Sequence, residues 1–483
     1  MFPSRASGDI PRSRSRSRLE ALPPDTTVNL TSAAAAVTIA LLAAGNLLLL
    51  SAATPAGAGL RKALRRLTGG AGLERLQWWH VATVVAAGLA VVVGYDLAAG
   101  LYACPGHPTD IGGFLGQGRA LWAGTNPFNV ASCGGTIAEP DGLAAVVINA
   151  LGSLGGLAGI AAVWGAISVA LVPLTWWVAG PDRRYLTLVV ATSPLYFPLV
   201  SAQIDGASNA LVPVTVLLAL YLASRGETLA TGVAGLLATQ RFPTLFPVLG
   251  LSGSFRRRFS AALALLAVFA AGTGLSYLLW GPEFLNTVLL DQLGRRSFSL
   301  NFWGILLLQN WLPAGNGLAI GQAAVTLVLV GVVFFTVRSP LRAAAITLAG
   351  VALLTQFLSF NILVWLLPVA LVAARPRWWL WGIAVVGSLN YNYAFSVLAS
   401  TQGILWPSEL LDLVLTVLLL GLFVDLWRSP DHALPMATTP RAPSRGDPTR
   451  IISAPEVRAS DVSPARTSWP VDRPGPVTDA GRR

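Results

Sequence analysis

Asp110 and Arg119, a carboxylate and a guanidinium nine residues apart, lie in a stretch that ends Gly124-Thr-Asn126-Pro127-Phe128. A carboxylate within hydrogen-bond reach of a hydroxyl can take its proton as the oxygen attacks an electrophile. A guanidinium can hold the negative charge that develops on a departing phosphate. A second pair of guanidiniums, Arg295 and Arg296, stands in Asp291-Gln-Leu-Gly-Arg-Arg-Ser-Phe-Ser-Leu-Asn301-Phe-Trp303. Asp110 is therefore the candidate general base, and Arg295 with Arg296 the candidate phosphate-binding pair. A blander reading stands beside each: Asp110 as the N-cap of a short helix, and the arginine pair as an anchor to anionic headgroups. Asp205, Glu139, Asp141 and Asp291 are rival carboxylates. Asp205 also reads as a helix cap, and Glu139 and Asp141 as solvated loop residues. Nine residues turn Arg119 about 180° away from Asp110 on a helix, so the two do not pair through it. His80 and His107 are too isolated for a metal site. No cofactor is required by these residues, and a divalent cation is compatible with them.

The elements that must position these groups are membrane helices. Of the 483 residues 54% are hydrophobic and only 11% charged, whereas a soluble domain is about a quarter charged. With a mean hydropathy of +0.63, the pattern is that of an all-α, polytopic transmembrane protein. A soluble enzyme and a nucleic-acid-binding domain are excluded, so the net charge of +11 needs another cause. Lys62 is the only lysine in an Ala- and Gly-rich chain, a composition that suggests a GC-rich bacterial genome. Residues 1–27 and 429–483 are polar, rich in Arg, Ser and Pro, and read as disordered tails around a membrane domain at 28–428. Apolar segments fall near 28–53, 79–100, 155–180, 185–202, 208–224, 228–252, 260–280, 318–337, 342–374, 378–397 and 408–427. The long run at 342–374 divides into two short helices at Ser359-Phe360-Asn361, and that at 228–252 into half-helices at Arg241-Phe242-Pro243. About eleven to thirteen helices result.

Charge placement orients them, because loops rich in Lys and Arg stay in the cytoplasm. Arg61, Lys62, Arg65, Arg66 and Arg75, then Arg183 and Arg184, Arg225, the triplet Arg256 to Arg258, Arg338, Arg342, Arg375, Arg377 and Arg428 fall inside. The loops 101–142 and 281–317 then face outward, and with them the candidate chemistry. The orientation of the first span stays open, since the basic tail and the basic loop compete for one side. Cys104 and Cys133, the only two cysteines, both lie in the first outer loop. A disulfide between them is expected in an oxidising compartment; two unpaired neighbouring thiols are the alternative. The Trp-rich stretches read mostly as interfacial belts, with sugar stacking by Trp303 or Trp122 as the sharper reading.

The pattern of Asp110, Phe114, Arg119, Gly124, Asn126, Pro127 and Phe128 resembles the first periplasmic loop of glycosyltransferase family 87. Ile111 stands where that family usually has an aromatic residue. Ser201-Ala-Gln203-Ile-Asp205-Gly206 is similar to the Gln-x-Asp turn of such transferases. Gly232 to Gly235, with Gln240-Arg241-Phe-Pro243, looks like their Gly-rich half-helix. Ser359-Phe-Asn361, with Trp365 and Pro368, resembles their late luminal turn. The resemblance covers about residues 78–427 and implies a GT-C fold. It also implies transfer of a mannosyl or arabinofuranosyl unit from a polyprenyl phosphate to an envelope glycan or glycolipid, at the outer face of a bacterial plasma membrane. Arg119, Asn126, Gln203, Asp205, Asn301, Trp303 and Asn361 are the substrate-binding candidates. Lipid-linked donor, glycan acceptor and membrane lipid are the expected partners, and nucleic acid is not. A polytopic transporter or lipid flippase is the rival, since it too would show many spans and few embedded charges.

Overall fold

A computed structural model describes residues 77–98, 110–128, 142–179, 210–224, 254–285, 301–308, 316–355, 360–373 and 406–429, together with 59, 62, 379, 382, 383, 386, 387, 389 and 390. The chain divides into two units, Met1–Ala437 and Thr438–Arg483, and all described residues lie in the first. Every regular element among them is a helix: α1 (Trp78–Ala98), α2 (Asp110–Trp122), α3 (Leu143–Ser153), α4 (Gly156–Ala179), α5 (Leu211–Ser224), α6 (Phe255–Trp280), α7 (Pro282–Leu285), α8 (Phe302–Leu308), α9 (Asn316–Thr336), α10 (Pro340–Leu354), α11 (Phe360–Ala373) and α12 (Trp406–Arg428). Among the described residues three stretches, Gly156–Val178, Phe255–Trp280 and Glu409–Arg428, are long and apolar enough to cross a membrane.

α10 lies within the bundle. Ser339 caps it by accepting from the Arg342 backbone N–H, and Pro340 fills its first turn, where a missing N–H leaves no bond unmade. Every residue from Ala343 to Ala352 is buried. The small side chains among them let α5, α9, α11 and α12 approach closely. At Gly350 a Cβ would stand 2.1 Å from Leu329 Cδ2 on α9. α10 ends at Leu354 and α11 begins at Phe360, so the long apolar run is two helices, with the first ending five residues before the expected break at Ser359. At 15 and 14 residues, each rises only about 21 to 22 Å, less than the ~30 Å hydrocarbon core.

The outer helices carry their large apolar side chains outward. Val84 and Val91 on α1, Leu263 and Leu278 on α6, Val328 on α9 and Val417 on α12 are all exposed. In water such a surface would drive association; facing lipid it costs nothing. Hydroxyls within the helices return their hydrogen bonds to their own backbone. Ser168, Thr175, Thr215, Ser276, Thr326 and Thr416 each donate to the carbonyl four residues back, as polar groups without water must. Trp177 packs edge-on to Trp78 at 5.9 Å and stacks on Tyr221 at 5.3 Å, so it joins α1, α4 and α5.

The two ends of the bundle differ in charge. The Arg258 guanidinium at the start of α6 donates to the carbonyls of Phe334 and Val337 at the end of α9. Arg342 at the start of α10 donates to the Ser429 carbonyl after α12. Arg256, Arg257, Arg258, Arg338, Arg342 and Arg428 therefore share one end. The opposite ends of α6, α10 and α12 carry Glu283, the Thr355 cap and Glu409.

Candidate functional site

α2 is the short helix that its sequence signals describe. It ends in a Schellman motif: the Thr125 N–H reaches the Ala120 carbonyl (2.9 Å) and the Gly124 N–H that of Leu121 (3.1 Å). The motif places its C′ residue in the left-handed region, and Gly124 stands there at φ 69°. The helix buries one face, with Ile111, Phe114, Gln117 and Gly118, and leaves Arg119 exposed on the other; Trp122, one turn after Gly118, is exposed but donates from Nε1 to the Ala150 carbonyl on α3 at 2.8 Å. Asp110 is the first residue of α2, in register one turn before Phe114 and two before Gln117; its side chain lies outside the described residues. Arg119 follows about 13 Å further along the axis, so the two groups cannot act on one atom through α2.

The buried face of α2 is held by side chains that the sequence does not mark as functional. Asn149 on α3 donates from Nδ2 to Gln117 Oε1 at 2.9 Å, and its Oδ1 accepts from Trp164 Nε1 on α4 at 2.9 Å. All three residues are buried, so one amide ties α2, α3 and α4 together. Backbones approach closely beside it: a Cβ at Gly118 would stand 2.3 Å from the Asn149 carbonyl oxygen, and one at Gly159 2.2 Å from that of Gly152. Phe114 packs on Trp164 at 5.7 Å. Ile111, Phe114, Ala145, Ile160, Trp164 and Leu211 form one apolar cluster, and so Ile111 fills a buried place. Leu211 is the first residue of α5. The chain leading into it carries Gln203 and Asp205, which themselves lie outside the described residues. α3 corresponds to no span of the sequence reading. Its apolar run of 11 residues is half the length that hydropathy looks for.

Three substrate-binding candidates are occupied by the fold. Asn126 Oδ1 accepts from the Phe128 N–H (2.9 Å), while Nδ2 donates to Glu283 Oε2 (2.6 Å) and, at 3.5 Å, to the Trp280 carbonyl. Phe128 packs edge-on against Trp280 and Phe284 at 5.3 and 5.1 Å. The Gly-x-Asn-Pro-Phe turn is thus a dock that fastens α2 to the end of α6. Asn301 donates to the carbonyls of Ala352 and Thr355 (3.0 and 2.9 Å), and Trp303 Nε1 to that of Leu353 (3.0 Å). Both satisfy carbonyls that the end of α10 leaves without helical partners. The Phe302 N–H donates to Thr416 Oγ1 on α12 at 2.9 Å.

Arg295 and Arg296 lie outside the described residues. The described residues on either side of them, Phe284 packed on Phe128 and Asn301 bonded to the end of α10, lie at the end of the bundle remote from the arginine cluster. Cys104, Cys133, Glu139, Asp141 and Asp291 also lie outside the described residues, as does the side chain of Asn361. Among the described residues no group of three or more His, Cys, Asp or Glu could hold a metal ion. Among the described residues Glu283, absent from the carboxylates weighed in the sequence, is brought to the α2 loop; its mark in the sequence is its place one turn after an apolar run ending at Trp280. No protein-family model matches the chain, and no curated protein matches it.

Proposed function

We propose that this multi-span membrane protein is a glycosyltransferase of the GT-C type, moving a mannosyl or arabinofuranosyl unit from a polyprenyl phosphate to an envelope glycan or glycolipid. The reading rests on one observation: a short, non-spanning helix, α2, is fastened by a buried amide and a loop dock at the end of the bundle away from the arginine cluster. By the positive-inside rule that cluster faces the cytoplasm and α2 faces outward. In the proposed step Asp110 takes the acceptor hydroxyl proton as the oxygen attacks the anomeric carbon. The bond from that carbon to the phosphate oxygen breaks, its electron pair leaves on the phosphate, and Arg295 or Arg296 holds the charge. Direct displacement inverts the anomeric centre. No resident cofactor enters this step.

One observation favours the transporter reading. Asp412, within the Glu409–Arg428 span, is wholly buried; its Oδ1 accepts from Asn390 Nδ2, and its Oδ2 has no hydrogen-bond partner among the described residues. A buried intramembrane carboxylate is a common mark of an ion or substrate path. The test is reconstitution in proteoliposomes with radiolabelled polyprenyl-phosphate mannose or arabinose and a glycan acceptor. Transfer by wild type but not by Asp110→Asn supports the enzyme. Undiminished transfer by a folded Asp110→Asn overturns the assignment of the base. Movement of intact lipid-linked sugar across the bilayer, lost in Asp412→Asn, favours the transporter.

A further inference from the structure

Of the three successive arginines at the start of α6, only Arg258 is buried. Its guanidinium binds the carbonyls of Phe334 and Val337 and lies over the Phe334 ring at 5.9 Å. That tie draws the start of α6 against the end of α9. Arg256 and Arg257, its chain neighbours, and Arg338, which follows Val337, are brought to the same place and are all exposed. No ion pair engages any of the three among the described residues. The one described carboxylate at this end, Asp425, belongs to α12.

Phenyl rings lie at the same end, on the side of α6 nearer Arg256 and away from Arg257. Phe255 stacks with Phe259 at 6.4 Å and with Phe335 at 5.9 Å, and all three rings are exposed. Phe259 is three residues further into the bundle than Arg256, and Phe335 three residues further in than Arg338. On α6 the Phe259 ring therefore stands about 4.5 Å deeper than Arg256; Phe335 lies within α9 while Arg338 lies beyond its last residue, Thr336, and Phe255 stands level with the arginines. Positive charge at the surface with an apolar shelf just beneath it complements an anion carrying a hydrocarbon tail. A soluble anion would make no use of the rings, and a zwitterionic lipid brings no net charge to the arginines.

We infer that Arg256 and Arg338, with Phe255, Phe259 and Phe335, form a binding site for one anionic phospholipid in the leaflet at the basic end of the bundle. The phosphate sits among the guanidiniums, and the glycerol and upper acyl chain lie on the rings. The site is independent of the transferase reading and of α2. Arg258 serves it by position, holding α6 and α9 together without facing the lipid.

The test is native mass spectrometry of the full chain, purified in detergent and exposed to equimolar phosphatidylglycerol and phosphatidylcholine. Wild type should retain one phosphatidylglycerol per chain in clear preference to phosphatidylcholine. The Arg256→Gln/Arg338→Gln variant should retain the two equally. Arg338→Gln alone, which removes no described hydrogen bond, should lower the preference about five-fold, the equivalent of ~1 kcal/mol per basic residue at a membrane surface. Arg428→Gln, which removes one charge from the same end but away from the rings, should leave the preference unchanged. Equal retention of both lipids by wild type, an unchanged preference in Arg338→Gln, or an equal loss in Arg338→Gln and Arg428→Gln overturns the site; the last would reveal only diffuse surface attraction.

Discussion

Asn126 Nδ2 stands 2.6 Å from Glu283 Oε2 and joins residues 157 positions apart in the chain. The contact fastens the loop after α2 to the end of a membrane-crossing helix, beside the aromatic contacts of Phe128. Asn126→Ala should cost about 1 kcal/mol, the net value of a hydrogen bond. Asn126→Asp should cost more at neutral pH, because it sets two carboxylates at hydrogen-bonding distance. Acidification should narrow the gap between the variants, since one bound proton restores a donor. Apparent melting temperatures in detergent at two pH values check this, and equal shifts of both variants at neutral pH would count against the contact.

The buried amide of Asn149 predicts a coupling. Asn149→Leu keeps the branching at Cγ but is bulkier, and it strips Trp164 Nε1 and Gln117 Oε1 of these partners, which together should cost at least about 2 to 3 kcal/mol. Trp164→Phe removes the indole donor as well as packing. The double variant should therefore be less destabilised than the sum, by about 1 kcal/mol. Strict additivity in thermal unfolding would show that the bond carries no weight.

Glycine positions separate close approach from mere flexibility. Gly118→Ala should lower stability by about 1 to 3 kcal/mol, because its Cβ would stand 2.3 Å from the Asn149 carbonyl oxygen. Gly274→Ala on α6 meets nothing within 4 Å, so it should be neutral or stabilising by up to about 1 kcal/mol through helix propensity. Melting curves of the two single variants decide it; similar shifts would contradict the tight packing of α2 on α3.

Asp110→Asn should abolish most transfer, by about a hundred-fold or more, the scale of a general base, while leaving the melting temperature near that of wild type. Gln117→Leu should do the reverse in part, lowering stability first and activity through loss of α2 position. Parallel assays of transfer and unfolding separate the two. A transfer rate in Asp110→Asn within a few-fold of wild type would remove Asp110 from the chemistry.

Much of the frame is legible in the chain. The span at Gly156–Val178 and the helix at Trp406–Arg428 stand within about two residues of their apolar runs, because bilayer crossing depends on local length and hydropathy. The Phe255 helix starts earlier than its run near 260, since Arg256 to Arg258 interrupt the hydropathy but not the helical backbone. The end of α2 is legible too, because a Gly in the C′ place and Asn-Pro beyond it act on neighbouring dihedrals.

What the tertiary structure alone decided is the employment of the polar side chains. In the sequence, Asn126, Asn301 and Trp303 are exposed-loop residues suited to a sugar, and Asn149 is an unremarked amide in an apolar run. In the fold they bind Glu283, the last carbonyls of α10, and the Gln117–Trp164 pair, at separations from 15 to 157 residues. A hydrogen-bonding group carries no record of its partner in its own neighbourhood. Whether an amide serves a ligand or the frame depends on which distant backbone or side chain packing brings within 3 Å, and hydropathy and local propensity are silent on that. The sequence by itself determined the solvent and the long spans at Gly156–Val178 and Glu409–Arg428, because both depend on local hydropathy; the packing determined the short helix α3 and which residues hold α2 in place.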